Sequence, residues 1–94
     1  MTFKKNEFGV VQYPDDDIRR LFVLLSALEL LERPTLAAVA DLTNLNPETI
    51  DDDIERLQEQ FGVQIHKLGN VYRIESWGDV LKKNGVLKRL KSVD

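Results

Sequence analysis

The chain of 94 residues has no cysteine. That excludes a disulfide frame, a thiolate metal site and a cysteine nucleophile. Its single histidine, His66, has no serine or acid at a recognisable triad spacing, and no glycine-rich loop follows a strand to cradle phosphate. Long apolar runs are missing too: Lys4 and Lys5 follow Met1, but no stretch of signal-peptide or membrane-spanning length comes after them. Asp15 to Asp17 and Asp51 to Asp53 are the only carboxylate clusters. Consecutive helical residues point about 100° apart, so neither cluster converges on one cation unaided. These absences lead to the expectation of a cytoplasmic, non-enzymatic protein with no metal, no cofactor and no membrane contact.

What is present fits one modest core. Apolar residues make up 43% of the chain, enough for a single small domain with short tails. The net charge of −3 conceals an asymmetry. Residues 1–62 carry six Lys or Arg against thirteen Asp or Glu, a net −7, while residues 63–94 carry seven against three, a net +4. A polyanion would be repelled by the first part and attracted by the second, so any nucleic-acid contact should lean on the C-terminal third. Mutual neutralisation of the two parts is the plainer alternative.

Residues 1–13 hold Phe3, Phe8, Val10, Val11 and Tyr13 around Gly9, and read either as an edge strand or as a loose arm. Pro14 and the acids Asp15, Asp16 and Asp17 suit a helix start, and Pro34 ends that helix at about Glu32. The helix has two apolar faces. Ile18, Leu21, Phe22, Leu25 and Leu28 form the first, and Val23, Ala27 and Leu30 with Leu24 and Leu31 form the second. One small domain rarely covers both, so Val23, Ala27, Leu30 and Leu31 are candidates for a homodimer interface unless the arm or the C-terminal segment folds over them.

Thr35 caps a short helix carrying Leu36, Val39, Ala40 and Leu42, and the turn Thr43, Asn44, Leu45 follows. Asn46 caps the next helix with Pro47 at its first position; Ile50, Ile54, Leu57 and Phe61 recur at helical spacing up to Gly62. Val63, Ile65 and Leu68 then alternate inward before a Gly69-Asn70 turn, and Val71 to Ile74 returns as the second hairpin strand. Ser76 and Asp79 have capping-box spacing ahead of Trp77, Val80 and Leu81, Asn84-Gly85 reads as a stop, and Val86, Leu87 and Leu90 continue among Lys88, Arg89 and Lys91 as a basic amphipathic tail.

The residues Leu36, Val39, Leu42, Leu45, Asn46, Ile50, Ile54 and Leu57, then Phe61-Gly62-Val63 and Val71-Tyr72-Arg73-Ile74, resemble the winged helix-turn-helix superfamily, with a layout similar to the N-terminal domain of biotin repressors. The resemblance covers roughly 55 to 60 residues of the chain and consists largely of apolar spacing. It implies a mainly α fold with a small β-hairpin (α+β): three helices, a wing and a C-terminal helical segment. The corresponding division is an arm at 1–13, a winged domain at 14–75 and a tail at 76–94. It also implies that Asn46, Glu48, Thr49 and Asp52 face a DNA major groove.

The charges pull two ways. Glu48, Asp52, Glu55 and Glu59 form an acidic stripe on the third helix, with Asp51 beside it and Arg56 opposing. Acids stabilise a helix start, which accounts for Glu48 but not for Glu55 or Glu59. Two functions follow. One is a dimeric DNA-binding transcription regulator of bacterial or phage type, contacting double-stranded DNA through Asn46, Thr49, Arg56, His66, Lys67, Asn70, Arg73, Lys88 and Arg89. The other is a protein-binding winged helix, or DNA-like decoy, that turns the acidic face toward a basic protein partner.

Overall fold

Side-chain caps and left-handed residues set the boundaries of the two central helices. In the computed structural model, described over residues 3–14 and 16–91, the elements are α1 (Arg19–Leu30), α2 (Leu36–Thr43), α3 (Pro47–Phe61), β1 (Gln64–Leu68), β2 (Val71–Ser76) and α4 (Lys83–Lys91). The fold is α+β, four helices and one antiparallel hairpin. Asp15, the first two residues of the expected arm and the last three of the expected tail lie outside the described residues.

Asp17 stands two residues before α1 and meets its first N–H, as the sequence leads one to expect of an acid there. The helix starts at Arg19, and Asp17 accepts from the Arg19 backbone N–H at 2.9 Å and from its guanidinium at 3.0 and 2.6 Å. The Arg19 hydrogen bond holds the Asp17 carboxyl below the ordinary carboxylate range. Thr35 caps α2 by accepting from Ala38 N–H, and Asn46 caps α3 by accepting from Glu48 N–H, with Pro47 at the first position. Asn44, in the left-handed region at φ 61°, ends α2. Thr43 locks the turn between the two helices: its hydroxyl donates to the Val39 carbonyl at 2.7 Å and accepts from Leu45 N–H at 3.2 Å.

The main core gathers Leu21, Leu24, Leu25 and Leu28 of α1, Val39 of α2, Ile50, Ile54 and Leu57 of α3, and Ile65 and Tyr72 of the hairpin. Phe22 and Phe61 meet edge to face at its rim, with centroids 6.3 Å apart. The hairpin pairs Ile65 with Ile74 and Lys67 with Tyr72, with an irregularity at Gln64/Ile65. Leu68 does not point inward as expected; it is 73% exposed because it has the opposite parity to Ile65, which puts it on the solvent face. Behind the hairpin, the loop between α1 and α2 adds a bridge from Thr35 to Val71, and Pro34 accepts from Tyr72 N–H at 2.9 Å.

A second cluster covers the other side of α1. Val11 and Tyr13 of the arm pack on Val23, joined by Phe3, Val10 and Leu90 of α4. Among its described residues the arm forms no edge strand; it turns back on itself through a bridge between Lys5 and Val11, with Asn6 accepting from Phe8 and Val10 N–H. Asn6 also donates to the Leu42 carbonyl at 2.6 Å, and Gln12 donates to the Thr43 carbonyl, so the arm is tied to the end of α2. Stacking of Arg19 over the rings of Phe3 and Tyr13, at 4.9 and 4.4 Å, fastens it to α1.

The C-terminal helix is displaced from its expected place. Ser76 closes a turn on Gly78 N–H instead of capping a helix at Trp77, and α4 runs through Asn84-Gly85, the expected stop. Gly78, at φ 74°, lies so near α3 that a Cβ there would stand 2.6 Å from the Gly62 carbonyl oxygen. A glycine inside a helix costs about 1 kcal/mol relative to alanine. Docking on α1, with an ion pair between Lys83 and Glu29, opposes that cost. Trp77 and Leu81 pack on the main core, whereas Val80 is exposed.

Candidate nucleic-acid and protein interface on α3 and the hairpin

The face of α3 opposite Ile50, Ile54 and Leu57 carries Glu48, Asp52, Glu55 and Glu59, all exposed. None of the four makes an ion pair or a side-chain hydrogen bond among the described residues. Neighbours three and four positions apart on a helix sit about 5–6 Å from each other, so these like charges repel. They form the outermost ridge of the helix, and any groove or partner meeting α3 meets them first.

The other two acids of α3 are committed to the fold. Asp53 is 2% exposed and faces Arg20 of α1 at 3.4 Å, while its second oxygen is buried without a hydrogen bond among the described residues. Burial pushes its carboxyl above the ordinary range, Arg20 and Arg56 pull it back, and Asp52 adds to the rise. Asp51 is exposed, but its Oδ1 accepts from the Tyr72 hydroxyl at 2.6 Å. Burial, then this hydrogen bond, raises the Tyr72 phenol to about 12. Helical spacing set these two aspartates apart from the stripe but could not name their partners, because those depend on what α1 and the hairpin place opposite them.

The basic candidates are scattered and partly engaged. Asn46 uses its side-chain oxygen as the α3 cap, and the Thr49 hydroxyl donates to the Asn46 carbonyl at 2.9 Å. Arg56 is exposed on the flank of α3 toward Asp53. On the hairpin, His66 pairs with Glu75 across the strands, the Lys67 amine lies 5.3 Å from the Tyr72 ring centroid, and Arg73 donates to the Glu32 carbonyl at 2.9 Å. Asn70 is exposed in the turn. Lys88 and Arg89 are exposed on α4, which rests on α1, whereas the hairpin rests on α1 and α3. The nine candidate DNA contacts therefore fall on three separate elements.

Of the candidate subunit contacts, Val23 at 6% and Ala27 at 3% exposed are covered within the chain by the arm, α4 and the core. Leu31 is half-buried, and Leu30 alone is exposed, at 64%. Among the described residues no helix is long and apolar enough to cross a membrane, and no three His, Asp or Glu side chains cluster as metal ligands. Comparison with protein-family models, curated proteins and solved structures finds no match.

Proposed function

We propose that the chain is a non-enzymatic winged helix-turn-helix module whose α3 ridge docks a basic protein segment. The order of helix, helix, tight turn, helix and hairpin supports the winged-helix part. The observation that carries the function is the unpaired state of Glu48, Asp52, Glu55 and Glu59 beside two acids that are both engaged. A row of uncompensated carboxylates opposes a polyanion and suits Lys or Arg side chains, whose complementary charge speeds encounter and sets register.

The test is fluorescence anisotropy with an arginine-rich peptide and with duplex DNA across a salt series. The wild-type protein binds the peptide, more weakly as salt rises, and the Glu55→Gln/Glu59→Gln variant loses at least about tenfold in affinity. Peptide binding unchanged in that variant overturns the proposal, as does DNA binding that tightens in it.

A DNA-binding regulator is the second reading, favoured by Lys67 and Asn70 exposed at the hairpin end. Its mark would be duplex binding by the wild type, with Lys67→Ala flattening the salt slope by about one unit. A homodimer belongs to this reading, and with Val23 and Ala27 covered it would form around Leu30.

A further inference from the structure

A cavity of about 550 Å³ lies between the arm, α1, the α2–α3 turn and α3. Arg20 and Arg56 both line it, with Tyr13, Asn44, Asn46 and Thr49, and no Asp or Glu does. Thirteen acids occur in the first 62 residues, so a wall with two guanidinium groups and no carboxylate is out of character with its surroundings. Asp53 stands behind Arg20 and holds its guanidinium at 3.4 Å. Arg56 makes no hydrogen bond among the described residues. Tyr13, 8% exposed and part of the cavity lining, contributes a second observation: its hydroxyl is buried with no hydrogen-bond partner among the described residues, a state that is costly where nothing satisfies it.

We propose that this cavity binds a small organic anion through a carboxylate or phosphate group, gripped by Arg20 and Arg56 with the Tyr13 hydroxyl as a further donor. A guanidinium offers two parallel N–H groups to a planar carboxylate or a phosphate, so two of them can fix both the position and the orientation of the group. The volume falls within the range of small-molecule sites. The occupant would touch the arm, α1 and the turn that carries α3, and so would brace the arm against α3. The site is separate from the acidic ridge and does not depend on what that ridge binds.

The experiment is a ¹⁵N NMR titration of the intact chain with citrate and with inorganic phosphate at constant ionic strength. Saturating shifts confined to the amides of 11–13, 43–46, 48 and 49 and to the Arg20 and Arg56 side chains are expected for at least one probe. Arg56→Gln, an exposed position, should weaken binding at least about tenfold, Tyr13→Phe several-fold, and Arg56→Lys should restore part of the loss. Shifts that stay linear in probe, that spread over the lysines of α4, or that are the same in Arg56→Gln would overturn the proposal. Arg20 is left untouched because its substitution would strand Asp53 and confuse binding with folding.

Discussion

The third helix and the hairpin both look charged and exposed in sequence, yet their charges do different work. Along the hairpin, His66 is matched by Glu75, Lys67 lies against Tyr72 and Arg73 holds the loop after α1 through the Glu32 carbonyl. On α3, Asp51 and Asp53 are taken by Tyr72 and Arg20, but Glu48, Asp52, Glu55 and Glu59 are joined to nothing among the described residues. A charge that already has a partner stabilises the fold, whereas a row of unpartnered like charges weakens it. The contrast therefore places the row of unpartnered charges on the helix and not on the hairpin.

Breaking the deepest of the committed charges should have the largest effect. Asp53→Ala leaves Arg20, whose side chain is 14% exposed, without its buried counter-charge, and should cost about 3 kcal/mol in urea unfolding. Asp53→Asn keeps the shape and should cost less. The two aspartate states also predict a pH signature. Because the folded carboxyl has a raised pKa, the folded state holds its proton more tightly than the unfolded chain, and stability from this group is fully present below the ordinary value of 3.8. It is lost as pH rises through the folded value. Asp53→Asn has no such dependence, so it should gain on the wild type as pH rises across the carboxylate range and then level off. A constant difference between the two proteins would mean that Asp53 titrates as an ordinary surface acid.

The link between the two regions comes next in size. Tyr72→Phe removes the 2.6 Å bond to Asp51 and should cost about 1 kcal/mol, since Asp51 remains open to water. A double-mutant cycle with Asp51→Asn isolates that bond. The phenol, raised from 10.0 to about 12, favours the protonated folded state. Its contribution is therefore complete below pH 10 and disappears as pH rises toward 12. Urea midpoints between pH 9 and 12 should fall more steeply for the wild type than for Tyr72→Phe.

Much of this organisation was legible in residue order, and what was hidden shares one cause. Thr35, Asn46, Pro47 and Gly62 mark the ends of α2 and α3 because capping and left-handed geometry are local chemistry. The hairpin turn and the core positions of α3 follow from the same short-range rules. The fate of Val23 was undecided because the partners Val11, Tyr13 and Leu90 come from opposite ends of the chain. The start of α4 was misplaced for a related reason: Gly78 is required by the approach of the Gly62 carbonyl, and the helix beyond it is held by α1. The cavity was missed altogether, since Tyr13, Arg20 and Arg56 share no spacing pattern and meet only after the arm has closed on α1. A cue did exist in Arg56, the single basic residue of the acid-rich α3.

The smallest effect bears on the ridge itself. Glu55→Gln/Glu59→Gln removes two like charges that face Asp52 and each other at helical spacing, and each repulsive pair costs a few tenths of a kcal/mol. The variant should thus be slightly more stable than the wild type, opposite in sign to the losses at Asp53 and Tyr72. Salt supplies the control. Screening over about 10 Å at 0.1 M already relieves the repulsion in the wild type, so the gain should shrink as salt is added and vanish near 1 M. Thermal melts of both proteins at low and high salt measure it directly. A variant less stable than the wild type would mean that Glu55 or Glu59 supports the fold, and the ridge would then lose its standing as a surface held free for a partner.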